Sequence, residues 1–483
     1  MRILRRRLVA WLIVSALLAS VVAAPCQAGP QEMLALMQRI SALAQDGRYG
    51  EAVTLARKLA NEAERNSGRQ SLLTATTLVV LGQALQAQGE MAEAERVLGR
   101  ALAIREKALG PNHPDVAAVL GTLGQIAFNQ NRLKDAEADI LRAIAVNESA
   151  LGPDNVNTAL VRMQLGNLRH RQLREAEALD IFGRVLQAFK NAPGQADIMV
   201  PVALNNIAEV HKTQGRLQLA EERFLEALDL QEKRHGRDSL YLASTLNNLG
   251  ELRRLQGRLQ EAEQLARRTL VIRERALGAD HPDVAASLNN LAIVFSRQDR
   301  ASEAVGLLVR ALAIQEKAFG PDHPTVAIAL NNLADAKAHG GQKKEAEQLF
   351  RRSLAIRERS LGPNHLDVAV SLDNLVVLIG DDDEHYNEAE GMARRSLAIR
   401  EATLGKLHPL VASSLNNLAV VLDSIGRPMD AEPLLKRALD IRLSALGEAH
   451  PDVANSFNNL GAHYLDARTG SKPMMHLLAL RQF

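Results

Sequence analysis

The sequence predicts an all-α fold, a solenoid of antiparallel helix pairs. Three observations predict it: a fixed repeat period, two helical apolar patterns inside each repeat, and small residues at matching positions. The stretch from Asp280 to Asp322 returns about every 42 residues along nearly the whole chain. Its His-Pro pair recurs at His113-Pro114, His281-Pro282, His323-Pro324, His408-Pro409 and His450-Pro451, and Leu366 replaces the proline after His365. Degenerate copies without the pair fall in register near Ser71, Asn155, Asp197 and Ser239. A period of this length marks an array of stacked supersecondary units.

Within the unit that begins at His281, Leu288, Leu291, Ala292 and Phe295 sit at i, i+3, i+4 and i+7, one face of a helix. Pro282 suits the first helical turn, where its missing N–H is harmless, and Asp283 suits the positive helix end. The polar segment Ser296 to Arg300 breaks the period, and its equivalents carry glycine, as in Gln256-Gly257-Arg258. A second, longer period runs through Ala304, Leu307, Leu308, Ala311, Leu312 and Ile314. It ends at Gly320-Pro321, read as a left-handed glycine cap with proline beyond. Each unit is thus expected to be helix, tight turn, longer helix and a six-residue connection, with no strand.

Gly82, Gly124, Gly166, Gly250 and Ala292 share one first-helix position. Ala94, Ala136, Ala176, Ala220, Ala262, Ala304, Ala346, Ala389 and Ala431 are read as one second-helix column. Small side chains there let two helix backbones approach, and larger ones would overpack the contact. With the run S-L-N-N-L-A…E-A-E…R-A-L-A-I-R-E…L-G-P-x-H-P, these columns make the chain resemble tetratricopeptide-repeat proteins of the long, kinesin light chain-like type. The resemblance spans roughly residues 31 to 466 and implies a right-handed superhelical solenoid.

The N-terminus is of another kind. Arg2, Arg5, Arg6 and Arg7 precede an uncharged apolar run from Leu8 to Ala24 and then Pro25-Cys26-Gln27-Ala28, the layout of an exported protein's signal peptide over residues 1–28. The alternative is an uncleaved inner-membrane anchor over residues 8–24. The arginines keep that end cytoplasmic in both cases, placing the repeats in the periplasm or outside the cell. Removing the segment takes 4 of 58 basic residues and none of the 56 acidic ones, so the mature chain is near −2. Nucleic-acid binding then lacks electrostatic support, and membrane contact is expected only through the signal segment if it is retained. The only cysteine, Cys26, also leaves with it, which excludes thiol catalysis and cysteine-ligated metal from the mature chain. No linker divides the repeats, so residues 29–466 read as one solenoid of about ten to eleven units. Residues 467–483 read as a divergent cap or tail, in which Lys472-Pro473-Met474 occupies the E-A-E column.

No phosphate loop, nucleophile elbow or H-E-x-x-H motif is present, and the expectation is a non-enzyme with no cofactor and no metal. The histidines fall once per unit, too far apart to converge on one ion, and are read as helix starters. The acidic turn Gly380–His385, which holds the one extra residue of the 365-to-408 step, lacks calcium-loop spacing and reads as solvated.

What remains is surface. The family resemblance places the first asparagine of each N-N pair on a concave groove, at Asn205, Asn247, Asn289, Asn331, Asn416 and Asn458. Matching asparagines in kinesin light chain-like repeats bind a ligand's peptide backbone. An amide offers both donor and acceptor to an extended chain, and the bland alternative is that it ties adjacent repeats together. Val79, Gly121 and Met163 break the column early and Asp373 replaces it later. Helical phase adds Lys212, Arg254 and Arg297 to the same side, with Glu209 and Glu251 between them and Asp335, Asp373 and Asp423 further on. The expectation is a non-enzymatic scaffold that binds a peptide or protein segment of unknown identity in its groove. The alternative is an envelope assembly or tethering factor working through convex or terminal surfaces.

Overall fold

A computed structural model describes residues 30–469, apart from residues 193, 195, 381 and 449. The reading of a signal peptide over residues 1–28 therefore lies outside the described residues, as does that of a cap or tail over residues 467–483 except for 467–469, which end the last helix. Within them the chain forms twenty-one α-helices and no strand. These are ten consecutive pairs followed by one further first helix, Pro451–Thr469. The chain divides into two compact units. One runs up to Val294 and includes Ala313–Gly320; the other is Phe295–Leu312 with Pro321 onward.

The helix starts follow from the loop chemistry. His113, His323, His365 and His408 each stand at an N-cap, where the ring Nδ1 accepts from the backbone N–H two residues on. His281 and His450 do the same for Asp283 and Asp452, at 3.0 and 3.1 Å. Asn155 and Ser71 supply side-chain oxygens in the same role. One orphan donor of each helix is thereby satisfied. The second helices are mostly 19 residues long, as in Met91–Leu109 and Lys343–Leu361. The connection to the next helix is four residues, Gly110 to His113 for example, because the leucine and proline of L-G-P-x-H-P are already helical. The glycine there is not in the left-handed helical conformation expected: Gly110 has φ +86° and ψ 157°. That extended, positive-φ region is open essentially to glycine alone.

The small-residue columns are where helix pairs touch. A Cβ on Gly166 would lie 2.5 Å from Cε1 of Phe182, and one on Gly124 would lie 2.8 Å from Cγ1 of Ile140. The second-helix column needs one correction: Ala178 is fully buried and belongs to it, whereas Ala176 is exposed. Ala176 lies two residues early, nearly opposite on the helix.

A further tie between repeats runs through the dipeptide Arg-Glu of A-I-R-E. Arg357 is buried and donates to the carbonyl of Asp367 and the hydroxyl of Ser371 in the next first helix, both at 2.8 Å. Arg400 repeats this with Leu410 and Ser414, and Arg442 with Asp452 and Ser456. The adjacent glutamate turns the other way: Glu358 meets Arg395 and Glu401 meets Arg437 of the following second helix, at 2.5 and 2.6 Å. Burial pushes the Arg357 guanidinium below its ordinary value, with nearby Asp367 opposing that shift.

The first unit also makes a contact that the repeat period does not contain. The turn after helix Pro30–Gln45 packs on the repeat start at 281. His281 Nε2 lies 2.7 Å from the Gln45 carbonyl oxygen. Because His281 Nδ1 accepts from Asp283, Nε2 carries the proton and donates to that carbonyl. Tyr49 stacks on Phe319 with centroids 5.0 Å apart and planes 15° from parallel. Gly47 has φ +75°, and a Cβ there would meet Pro282 Cδ at 2.7 Å. His281 and Asp283 are accordingly buried, whereas the equivalent His113 and Asp115 are half-exposed.

Candidate functional site

The asparagine register forms rungs between successive first helices. Asn205 Nδ2 donates to the Pro201 carbonyl at 2.7 Å and to Thr245 Oγ1 at 2.9 Å, while its Oδ1 accepts from Asn248 at 3.3 Å. Asn290 donates in the same way to Asn247 Oδ1. At these two rungs the first asparagine of one repeat accepts from the second asparagine of the next, whereas the Oδ1 atoms of Asn331 and Asn416 are buried without a hydrogen-bond partner. A first helix presents these two amides on its neighbour's side because every unit places them at the same phase. Asn205, Asn289, Asn331 and Asn416 are buried, Asn247 is half-buried and Asn458 is exposed.

The charges predicted for the same side are paired within the chain. Lys212 is nearly enclosed and lies 3.0 Å from Glu209 and 3.1 Å from Glu251. Burial alone would lower its ammonium, and the two carboxylates more than reverse that, holding it above its ordinary value. Asp373, where the asparagine column is broken, is buried 2.5 Å from Arg400. The same arginine that ties the repeats therefore neutralises the substitution. Asp423 meets His463 at 2.9 Å. Burial pushes the Asp335 carboxyl up, opposed by His339 and by Arg297. Arg254 and Arg297 are half-exposed, and Glu251 is exposed.

The arrangement is one of amides and matched charges spread along many helices. Among the described residues, no group of three His, Cys, Asp or Glu is gathered as for a metal ion, and no helix is long and apolar enough to cross a membrane. In the acidic turn, Asp382 accepts from the Glu384 backbone N–H at 3.1 Å and from the His385 ring at 2.9 Å, all at the surface.

The family model for the tetratricopeptide repeat matches residues 31–107, 81–148, 115–191, 200–274, 243–317, 297–359 and 382–444. The chain belongs to the tetratricopeptide-repeat family. Among solved structures it is similar to the nearly identical TPR-like repeats of a kinesin light chain from Podosopora anserina. That match is 27% identical over 43% of this chain and 98% of that one, with a TM-score of 0.37. It is similar also to BtubC (BKLC) from P. vanneervenii, 22% identical over 49% and 92% of the two chains, TM-score 0.39. A Rap protein complexed with competence and sporulation factor is 15% identical over 74% and 100%, TM-score 0.45. No curated protein sequence matches this tetratricopeptide-repeat chain. Sequence reasoning missed the buried arginines of its repeats, Arg105, Arg273, Arg357, Arg400 and Arg442. Their signal was a cation in one column of the repeat, broken at Asn147, Phe189, Gln231 and Gln315, directly after an isoleucine that faces the core.

Proposed function

We propose that this chain is a non-catalytic interaction scaffold that holds an extended peptide or protein segment along the face of its first helices. The observation that supports this reading is the recurrence of one carboxamide register, at Asn205, Asn247, Asn289, Asn331, Asn416 and Asn458, on successive first helices. A row of amides spaced by one helix pair suits a ligand whose backbone donors and acceptors are unpaired. Buried Asn205 acts as a rung that fixes the spacing. Half-exposed Asn247, with Glu251 and Arg254, is what a ligand reaches without rearrangement in the first unit, and Arg297 and exposed Asn458 are what it reaches in the second. Selection of random peptides on the full chain, followed by affinity measurement, tests this. Asn247→Ala and the charge reversal Arg254→Glu should each weaken a selected peptide about tenfold. Affinities unchanged by both substitutions contradict the assignment.

A second reading, assembly or tethering through terminal surface, is favoured by helix Pro451–Thr469, where Phe457 and Leu465 are 54% and 62% exposed. On that reading Leu465→Glu abolishes self-association in sedimentation, and leaves peptide affinity intact. Export of the repeats is part of the proposal, and sequencing the N-terminus of the protein isolated from cells checks cleavage near Ala28.

A further inference from the structure

The last described helix of the second unit, Pro451–Thr469, presents a pairing face that its predecessors bury. Ala454, Phe457, Asn458, Gly461, Tyr464 and Leu465 are exposed and follow helical spacing, one stripe along one side. One repeat earlier, Ala412, Leu415, Asn416, Ala419 and Leu422 hold the first five of these positions and are buried. There the second helix, Pro428–Leu446, supplies the cover: Ala419 and Leu422 cluster with Ala431 and Leu435, and Ala412 and Leu415 with Ala438 and Ile441. Gly461 stands in the column at which helix pairs touch. A Cβ on Gly82 would lie 2.5 Å from Leu98 Cγ, whereas one on Gly461 meets nothing beyond its own helix within 4 Å.

The face is complementary to itself. Phe457 lies four residues before Gly461 and Leu465 four after, while Asn458 lies three before and Tyr464 three after. A second copy of the helix turned antiparallel about Gly461 therefore sets Phe457 on the partner's Leu465 and Asn458 on the partner's Tyr464, each contact made twice. Gly461 meets itself at the two-fold axis, where the missing side chain lets the backbones approach. The apolar residues of the patch are local to this end. Leu465, 62% exposed, stands where earlier repeats carry Lys212, Arg254, Ser296 and Asp423. Met429, 81% exposed, stands where they carry Gln218, Gln260, Lys344 and Asn387. A face with net charge would repel its own copy across the axis. Here Glu432, one turn from Met429, is paired with Lys436 at 2.9 Å and accepts from the Tyr464 hydroxyl at 2.8 Å. The chain's own residues 470–483 do not carry the second-helix sequence. One repeat after Gly426 and Ala431, the turn glycine and the column alanine, come Arg468 and Pro473.

We propose that the chain forms a symmetric dimer through this face, two Pro451–Thr469 helices crossing antiparallel at Gly461. The proposal rests on the reading of the terminal surface as an assembly face and names its partner, a second copy. One helix face is small against the roughly 1,600 Å² of a standard interface, so the dimer dissociates on dilution.

The test is sedimentation equilibrium of the protein isolated from cells, over a range of concentrations. Unaltered protein should exchange between monomer and dimer, and Leu465→Glu should remove the dimer. Gly461→Leu has room in the single chain, so it should keep or raise the melting temperature and weaken the dimer at least tenfold. In a Cys26→Ser background, Phe457→Cys mixed with Leu465→Cys should oxidise to a dimer joining the two variants. Neither variant alone should crosslink, because like positions lie about 12 Å apart along the helix axis. A protein that stays monomeric at every concentration, or a dimer untouched by Leu465→Glu, overturns the proposal and the terminal-surface reading together. If removing residues 470–483 from such a monomer produces the dimer, those residues are the occupant of the face. A dimer that Leu465→Glu removes but Gly461→Leu leaves as strong, or crosslinks formed by each variant alone, spares that reading and overturns the antiparallel pairing.

Discussion

The glycine column of the first helices gives a prediction whose sign changes with position. In the middle of a helix, Gly→Ala removes backbone freedom from the unfolded chain and is worth about 1 kcal/mol of stability when the methyl has room. At Gly250 it has room: the nearest atoms are Leu265 Cβ at 3.5 Å and the Ala262 carbonyl oxygen at 3.7 Å, ordinary contact distances. At Gly166 the new Cβ would stand 2.5, 2.8 and 2.9 Å from three atoms of the Phe182 ring. That ring is itself buried, so it has nowhere to turn. Overpacking of this kind costs roughly 1–3 kcal/mol, which outweighs the propensity gain. Gly250→Ala should therefore raise stability by about 0.5–1 kcal/mol, and Gly166→Ala should lower it by roughly 1–2 kcal/mol. Urea denaturation followed by circular dichroism, with the m-value checked for constancy, measures both. If the two substitutions shift the midpoint in the same direction, the helix approach described at these glycines is wrong.

Three further outcomes follow from contacts between repeats. Arg357→Met removes two charged-donor hydrogen bonds and leaves the Asp367 carbonyl and Ser371 hydroxyl dry; it should cost about 2–3 kcal/mol, seen as faster hydrogen exchange at the start of helix Leu366–Ile379. Gly47→Val meets both a positive φ and Pro282, so it should release the turn from His281. Faster exchange of the Asp283 amide and new proteolysis near residue 47 report this; a wild-type exchange pattern contradicts it. Acid should loosen the array. Glu93, Glu137, Glu221 and Glu388 are held below their ordinary values chiefly by hydrogen bonds from Arg57, Arg169, Arg253 and Arg351. Groups lowered in the folded state stabilise it fully above the unfolded carboxylate pKa near ~4.5 and lose that contribution as pH falls through the depressed values. The urea midpoint should thus decline below about pH 4.5, and that decline should shrink when Arg351 and Arg253 are replaced by methionine.

The repeat period made the helix pairs legible, because one unit's pattern of Leu288, Leu291, Ala292 and Phe295 is restated many times and errors in a single copy average out. In the one copy that reads Glu175-Ala176-Glu177-Ala178, the pattern alone does not separate the two alanines, and burial does. The histidines were legible as helix starters, since a ring one residue before a proline has few other tasks. The asparagines were placed on the right helices, yet their mutual hydrogen bonds depend on the distance between neighbouring helices, which a one-dimensional pattern does not carry. The buried arginines were hidden by their type, because an Arg-Glu pair at a helix end resembles a solvated ion pair. The contact of Gln45 and Tyr49 with His281 and Phe319 joins residues more than five periods apart and leaves no trace in the repeat.

The central claim is that the 42-residue unit is the quantum of this fold, each pair supported by its neighbours in sequence. Deleting residues 323–364 joins Asp322 to His365 in register and removes one whole unit. The account predicts a folded protein whose far-ultraviolet ellipticity per residue is unchanged and whose urea midpoint falls only modestly. Loss of helical signal per residue, or a chain that no longer unfolds cooperatively, would contradict it.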